Sequence, residues 1–291
     1  MRSGYNDCWL KMMASSSISN YPLGSTDAEH ERLIRQAARL APLTERFFCD
    51  AGIGLGQRVL DVGSGVGDVA MLAARLVGPS GEVVGIERDS RSITRARARA
   101  AEAGLHNVHF IQCDVCEVLS DRPFDAVVGR LILMFLSDPV AALRSLYRLV
   151  RPGGVLAFQE QSWVPCFPLW RHLPLWSAAV SLDCETLRRC GANPDMGLAL
   201  YRIFQEAGLP PPTVHMEVPL GNDPSFIRWI YEVLCSLLPQ IQQFNLSWET
   251  LGDLDTLPER LQVEVSASKG VVSWMAIIGA WARRPSDEAP L

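Results

Sequence analysis

An α/β fold with a doubly wound, mostly parallel sheet is predicted by three features of the sequence. Residues 59–68, V-L-D-V-G-S-G-V-G-D, combine a buried strand, a glycine-rich turn and the start of an apolar helix. Apolar runs then alternate with helical patterns up to residue 158, which is typical of a parallel sheet covered by helices. Two later aromatic-rich stretches interrupt the alternation and predict helical insertions that cap the sheet.

The composition restricts the class of protein. With 291 residues, of which 48% are hydrophobic and 20% charged, the chain is predicted to form a globular enzyme-sized unit. Its net charge of −5 argues against a general affinity for nucleic acid or anionic membranes. No apolar stretch reaches the roughly 18 to 20 residues of a membrane span, and the N-terminus lacks a signal-peptide pattern. We therefore expect a cytoplasmic protein, and scattered cysteines that are mostly reduced.

The glycine-rich turn predicts a ligand-binding site. Gly63, Gly65 and Gly67 permit positive φ angles and let a ligand approach bare main chain beside a helix start. A dinucleotide fingerprint would place Gly or Ala where Asp68 stands, and Asp61 closes the preceding strand. Because two carboxylates would repel a pyrophosphate, the turn favours a positively charged ligand and disfavours a nicotinamide-dependent oxidoreductase.

The turn resembles motif I of the class I S-adenosylmethionine-dependent methyltransferases, and the resemblance continues along the chain. Glu87 and Asp114 stand where that family has acidic residues after the second and third strands, and the L-x-R-P-G-G turn at residues 149–154 matches its approach to the fifth. The chain looks like the UbiE-type branch of small-molecule methyltransferases. The resemblance implies a Rossmann-like sheet of seven strands in the order 3-2-1-4-5-7-6, with the seventh antiparallel, and S-adenosyl-L-methionine as cofactor.

Individual cofactor contacts follow from this resemblance and from strand-end positions. Glu87, at the carboxyl end of the second strand, is placed to accept hydrogen bonds from ribose hydroxyls. In the family, an acidic residue and the following N–H bind adenine, and Asp114 and Val115 match them. Arg88 is a candidate for the adenine face, with solvated exposure as the alternative. The turn contributes Asp61, Gly63, Ser64 and Gly65.

The segment before the first strand predicts a helical cover. Helical spacing of apolar residues runs from residue 25 to residue 50, and Pro42 is predicted to divide the segment into two helices. In related methyltransferases such a segment lies over the cofactor, so Tyr21 and Gln36 are candidates for its methionine end. Ordinary packing positions are the alternative. Residues 1–20 show no clear period and are expected to form a loose arm.

The fourth strand ends in G-R-L-I at residues 129–132, where nucleic-acid amino-methylating relatives have N-P-P-Y or D-P-P-Y. This difference disfavours a DNA base as the acceptor. Arg130 is instead a candidate cofactor-binding residue, whose backbone would lie along the cofactor. Arg88 and the arginines of the next helix share one face that could bind RNA phosphates, but solvated charge is the preferred interpretation in an acidic protein. An isolated C-x-x-C at Cys113 and Cys116 lacks a second pair, so no metal is expected.

The predicted domain organisation alternates core and insertions. A helical cover (1–56) precedes a cofactor-binding core (57–161), a lid insert (162–195), a core continuation (196–221), a second insert (222–269) and a last strand with tail (270–291). The two inserts hold five of the eight tryptophans, which favours a flat apolar guest, with a tryptophan-filled cap core as the alternative.

The expected reaction is O- or N-methylation of a hydrophobic, aromatic or polyketide-like small molecule of secondary metabolism. A non-catalytic S-adenosylmethionine-binding regulator stays open, as does a homodimer. Glu160, at the carboxyl end of the fifth strand, and His172, inside the lid, are the candidate catalytic bases. A histidine suits deprotonation of a phenol-like hydroxyl; the alternatives are that His172 faces water and that catalysis is by alignment alone.

Overall fold

The computed structural model describes residues 21–286, so the arm expected at residues 1–20 lies outside the described part of the chain. One sheet contains seven strands in the order β3-β2-β1-β4-β5-β9-β6, and β9 runs antiparallel to both of its neighbours. This arrangement confirms the strand order expected for the family. The strands are β1 (Arg58–Val62), β2 (Glu82–Glu87), β3 (Val108–Gln112), β4 (Phe124–Arg130), β5 (Val150–Ser162), β6 (Thr213–Glu217), β7 (Leu220–Gly221), β8 (Val272–Ser273) and β9 (Ala276–Arg283).

The helices cover both faces of the sheet and extend over the carboxyl ends of its parallel strands. They are α1 (Asp27–Asp50), α2 (Asp68–Val77), α3 (Ser90–Glu102), α4 (Pro139–Leu149), α5 (Phe167–Trp170), α6 (Pro174–Arg189), α7 (Met196–Glu206), α8 (Pro224–Gln243) and α9 (Leu257–Ala267). Within residues 21–286, none of them combines the length and the apolarity that crossing a bilayer requires.

Helix α1 corrects one prediction, because it continues through Pro42 as a single helix of 24 residues. Proline in a helix removes one backbone hydrogen bond and costs about 3 kcal/mol. Pro42 is exposed, so the carbonyl that loses its partner lies on the solvent side. On the opposite side, Leu40, Phe47 and Phe48 are completely buried, and burying such side chains contributes about 1.5–3 kcal/mol each. Packing therefore outweighs the local preference of proline.

A second correction concerns the end of the chain. One last strand was expected within residues 270–291, but the structure forms two there: β8, which pairs with β7, and β9, which pairs with β5 and β6. Trp274 and Met275 separate the two strands and are buried. The indole of Trp274 donates to the carbonyl oxygen of Phe226 at 2.9 Å, so this break attaches α8 to the sheet.

The tryptophans of the inserts mostly form the interior of the cap. Trp163, Trp170, Trp176 and Trp229 are at most 5% exposed. Trp229 stacks on Trp274 with ring centroids 4.4 Å apart. The ring centroid of Trp163 lies 6.1 Å from those of Trp170 and Trp229. Such aromatic pairs stabilise a packed core beyond the area that they bury. The alternative interpretation, a tryptophan-filled cap core, therefore accounts for most of these residues.

Three of the four arginines of α3, Arg91, Arg95 and Arg99, pair with acids of the same chain. Arg95 contacts Glu31 of α1 at 2.6 Å, and Arg99 contacts Asp68 at 2.7 Å. An exposed pair such as Arg95–Glu31 contributes little stability, about 0 to 1 kcal/mol, but both pairs neutralise charge on this face. A phosphate-binding role for this face is therefore disfavoured, as the sequence analysis preferred.

Candidate active site

A cavity of about 800 Å³ opens at the carboxyl ends of β1, β2 and β4, beneath α1, α6 and α8. Its wall brings together all the predicted cofactor-binding residues except Asp61, which lies buried just behind the turn. Their contacts with the cofactor stay predictions. The residues that line it are Tyr21, Gln36, Gly63, Ser64, Gly65, Glu87, Arg88, Asp114, Val115 and Arg130.

The glycine-rich turn has a backbone that side chains would not permit. Gly63 and Gly67 have φ angles of 67° and 90°, in the left-handed region that favours glycine. A Cβ on Gly67 would also lie 2.9 Å from the Phe110 ring, so the close approach of α2 to β3 requires glycine there. Helix α2 begins at the next residue and presents free backbone N–H groups beside the cavity.

Glu87 connects the end of β2 to the glycine-rich turn. Its Oε1 accepts hydrogen bonds from the N–H groups of Arg88 at 2.8 Å and Asp89 at 3.0 Å. Its Oε2 accepts from the N–H of Gly65 at 3.1 Å. A carboxylate has about four acceptor positions, so these bonds leave capacity for a ribose hydroxyl. The carboxylate is therefore held in a fixed orientation before any ligand arrives.

Asp61 and Arg130 are titratable residues that lie beside the turn. Asp61 is buried, its Oδ2 has no hydrogen-bond partner among the described residues, and burial raises its pKa to about 8. Burial lowers the pKa of Arg130, and the charges of Asp68 and Asp61 oppose that shift. The guanidinium of Arg130 donates to Thr44 Oγ1 at 2.9 Å, so its side chain is ordered as well as its backbone.

These residues fit S-adenosyl-L-methionine. Ser64 Oγ in the cavity wall has no partner and can bond to a ligand with an ammonium group, and the unpartnered Asp61 Oδ2 lies buried just behind the turn. Asp114 accepts from the N–H of Cys116 at 2.9 Å and thereby orients Val115 at the far wall. When bound, the cofactor supplies an electrophilic methyl group on its sulfonium. The protein's contribution is to orient it and to exclude water.

Glu160 lies near the carboxyl end of β5 as expected, but the structure contradicts its expected role as a base that faces the acceptor. Its side chain is completely buried and does not line the cavity. Its Oε1 accepts from the N–H groups of Ile132 at 2.9 Å and Leu133 at 2.7 Å, and its Oε2 accepts from Met134 at 3.4 Å. The carboxylate therefore holds the loop that follows β4 and does not face an acceptor.

That loop has one strained residue at the cavity wall. Leu131 has a φ angle of 55°, which is unfavourable for a residue with a Cβ. Its N–H donates to the carbonyl oxygen of Gln159 at 2.9 Å, and Glu160 holds the next three N–H groups. These bonds compensate for the strain, which is of order 1–3 kcal/mol. The turn lets Leu131 and Ile132 both line the cavity.

His172 also differs from its expected placement. It is exposed in the turn between α5 and α6 and lies outside the cavity, because Trp170, Leu173 and Trp176 occupy the inward side of this segment. The lid histidine faces water, which was the alternative interpretation.

We therefore expect His172→Ala to leave the rate of methyl transfer within about two-fold of the wild-type rate, since surface substitutions rarely disturb a remote site. Single-turnover kinetics with saturating S-adenosylmethionine is the measurement. A decrease of ten-fold or more would reinstate His172 as a base.

A buried polar network on α1, absent from the sequence analysis, forms the roof of the cavity. Arg32 donates to both carboxylate oxygens of Glu29, at 2.7 and 2.6 Å, and to the amide oxygen of Gln36 at 2.8 Å. The indole of Trp229 donates to the same Gln36 oxygen at 2.9 Å, and Ser236 donates to Glu29 at 2.7 Å. The network joins α1 to α8. It also occupies the oxygen of Gln36, so that only its amide nitrogen is left for a ligand.

Asp183 of α6 is a second buried residue that the sequence analysis missed. It lines the cavity and is 2% exposed. Its Oδ2 accepts from the indole N–H of Trp163 at 3.1 Å, while its Oδ1 has no partner among residues 21–286. The helical spacing of the apolar residues Val180 and Leu187 would have placed Asp183 on the buried face of α6.

The possible metal ligands do not cluster. Cys113 is buried and Cys116 is exposed, and in the described part of the chain no three His, Cys, Asp or Glu side chains come together as they would around an ion.

The fold and the site together define a class I S-adenosylmethionine-dependent methyltransferase that acts on small molecules. Residues 54–208 match a family model described as a methyltransferase domain, and the chain belongs to that family. Its cofactor is S-adenosyl-L-methionine.

Similar proteins agree with this class. The ubiquinone/menaquinone biosynthesis C-methyltransferase UbiE of Vibrio vulnificus is 31% identical over 181 residues, which are 57% of this chain and 69% of that protein. The arsenite methyltransferase of Halobacterium salinarum is 28% identical over 159 residues, 54% of this chain and 38% of that protein. A candidate methyltransferase of Bacillus halodurans has a similar solved structure, with a TM-score of 0.56 at 18% identity, covering 84% of this chain and 99% of that one. At that identity the structural likeness shows the fold alone.

Proposed function

We propose that the protein methylates an oxygen or nitrogen atom of a neutral, apolar ring compound. The observation that carries this proposal is that a single cavity joins two unlike walls. One wall is the polar strand-end side described above, and the other is formed mostly by apolar side chains of α1, α6, α8 and the loop after β4. The apolar side chains are Leu33, Met134, Phe135, Leu187, Trp229 and Val233.

The size of the cavity supports this division. Small-molecule sites have volumes of about 300–1,000 Å³, so 800 Å³ is room for the cofactor and one small acceptor. Of the five tryptophans in the inserts, only Trp229 lines the cavity. The apolar wall is therefore largely aliphatic. It would bind a ring compound through complementary shape and the exclusion of water more than through aromatic stacking.

The charges at the roof favour a neutral acceptor. Arg32 would attract an anion, but Glu29 already neutralises it through two hydrogen bonds. Breaking a buried ion pair of this kind costs about 3–5 kcal/mol. An anionic acceptor would bind to Arg32 only if its own interaction with the guanidinium were more favourable than this cost. Polyanions and free amino acids are disfavoured on the same ground.

Relatives with named substrates do not decide which atom is methylated. UbiE is named for methylation of carbon, and the Halobacterium salinarum relative for methylation of arsenite. Oxygen or nitrogen is proposed for this chain because buried polar groups of α6 and α8 face the cavity beside the apolar wall.

A competitive acceptor screen with methyl-labelled S-adenosylmethionine tests the proposal. We expect label to enter phenols, indoles or anilines in preference to amino acids, polyamines and RNA. Val233→Trp should fill the apolar wall and abolish that transfer, while calorimetry shows S-adenosylhomocysteine still binding. Val263→Trp is the matched control, because Val263 is exposed on α9 outside the cavity. Transfer confined to amino acids or to a polyanion, or unchanged by Val233→Trp, would contradict the proposal.

A further inference from the structure

Buried polar atoms without partners occur on both sides of the cavity. On the strand-end side they are Ser64 Oγ in the wall and Asp61 Oδ2 just behind it, both beside the expected position of the cofactor. On the cap side they are Asp183 Oδ1 of α6 and Gln240 Oε1 of α8, for which the cofactor gives no explanation. Leaving a buried polar atom unpaired costs about 1–3 kcal/mol, so the second pair indicates a further ligand with hydrogen-bond donors.

The orientation of the Asp183 carboxyl group is determined by its surroundings. Trp163 donates to Oδ2 at 3.1 Å, and Trp163 is itself immobilised between Trp170 and Trp229. The other oxygen, Oδ1, is thereby directed away from Trp163 and has no partner in the described structure. A base with one fixed and one free oxygen is suited to accept a proton from one direction.

The charges around Asp183 are nearly balanced. Arg32 of α1 faces it but is paired with Glu29, and Arg188 of α6 is paired with Asp195 at 3.1 Å. Cys184, the next residue, is buried and its thiol pKa is raised. Burial raises the pKa of Asp183 to about 7, and Trp163, Arg32 and Arg188 oppose this shift. A base is most effective when its pKa is near the working pH.

We propose that Asp183 is the catalytic base, taking a proton on Oδ1 from the hydroxyl or N–H of the acceptor, while Gln240 accepts a second hydrogen bond. The inference rests on the proposed function and makes it more specific. The O–H or N–H bond breaks, its proton passes to Asp183, and its electron pair forms the bond to the methyl carbon. The electron pair of the broken S–C bond stays on sulfur, and the proton then leaves Asp183 to water. The acceptor must therefore carry at least one hydrogen-bond donor.

The experiment compares pairs of probes on the protein loaded with S-adenosylhomocysteine. Phenol is paired with anisole, indole with 1-methylindole, and aniline with N,N-dimethylaniline. The second compound of each pair keeps the ring and lacks the hydrogen-bond donor. Calorimetry measures the affinity of every probe. For the wild type we expect at least one donor probe to bind about ten-fold or more tightly than its partner, because a hydrogen bond to a carboxylate is charge-assisted.

Two variants distinguish Asp183 from a nearby charge. In Asp183→Asn, the indole N–H of Trp163 can still donate a hydrogen bond to the side-chain oxygen. The amide NH₂ of the asparagine, which is a donor, then faces the cavity. The donor preference should disappear or reverse. In Glu185→Gln, which removes an exposed carboxylate of the same helix, the preference should persist. Affinity for S-adenosylhomocysteine should be the same in all three proteins.

The pH dependence gives an independent measurement. Because the charged carboxylate is the stronger acceptor, the donor preference of the wild type should grow as pH rises from about 5.5 to 8.5, with a midpoint of about 7. It should be flat in Asp183→Asn. Equal affinity within every probe pair, or a donor preference that Asp183→Asn retains, would overturn the proposed role of Asp183 but would leave the proposed function standing. Failure of the wild type to bind S-adenosylhomocysteine, or to bind any of the six probes, would overturn the proposed function as well.

Discussion

Glu87→Ala should weaken the binding of S-adenosylmethionine by about 1.5–3 kcal/mol for each charged hydrogen bond to the ribose that is lost. The variant also removes the acceptor for the N–H groups of Gly65, Arg88 and Asp89, so the turn loses part of its preorganisation. Isothermal calorimetry with S-adenosylmethionine and S-adenosylhomocysteine measures the effect.

The controls separate ribose binding from a general effect of charge. Glu87→Gln keeps the shape and one oxygen acceptor and should lie between the wild type and Glu87→Ala. Glu102→Ala removes an exposed carboxylate at the end of α3 and should have no effect. NADH should not bind to any of these proteins. Unchanged affinity in Glu87→Ala would refute the ribose assignment.

Glu160→Ala is expected to lower the free energy of unfolding by about 3–5 kcal/mol. The variant leaves the N–H groups of Ile132, Leu133 and Met134 without their buried acceptor. Glu160→Gln should cost much less, because its amide oxygen can take the place of Oε1, which accepts two of the three bonds. Urea unfolding of the ligand-free protein is the measurement, with the exposed Glu259→Ala as control.

The pH dependence of the free energy of unfolding gives a second test of Glu160. Burial raises the pKa of Glu160 from 4.5 to about 7, and its three backbone hydrogen bonds oppose this shift. Between these two values the folded state binds more protons than the unfolded state, so the contribution of Glu160 to stability falls as pH rises from 4.5 to about 7. Glu160→Gln should remove this part of the slope. If Glu160→Ala unfolds at the same urea concentration as the wild type, the carboxylate does not hold the loop.

The strand-end positions of the acidic cofactor-side residues could be predicted from local sequence, whereas the strand order was implied by the resemblance to a known family. A parallel strand that ends in an acidic residue places that side chain at the carboxyl edge of the sheet, whatever the rest of the chain does. Glu87 and Asp114 follow this rule, and they meet the glycine-rich turn around one cavity. Local pattern and the family resemblance together were sufficient for this wall.

The environments of Glu160 and Arg32 depend on contacts between distant segments, which local pattern does not contain. Glu160 has the expected strand-end position, but the left-handed backbone of Leu131 turns the following loop onto its carboxylate. Arg32 has the sequence pattern of a surface arginine on an amphipathic helix, but it is buried, and Trp229 and Ser236 of α8 donate to its two partners, Gln36 and Glu29. Pro42 shows the same limit, since the buried face of α1 overrides its local preference for a break.

The two walls of the cavity also differ in how they tolerate substitution. The strand-end wall includes main chain in a left-handed conformation, and a Cβ on Gly63 would strain that backbone and lie 2.6 Å from the side chain of Ile132. The cap wall is made of side chains that project from regular helices, such as Leu187 and Val233, which can be exchanged without moving a helix. Mutation can therefore redraw the acceptor half of the cavity while the cofactor half stays unchanged. Divergence of substrate range within one conserved cofactor chemistry is the evolutionary behaviour that such a division permits.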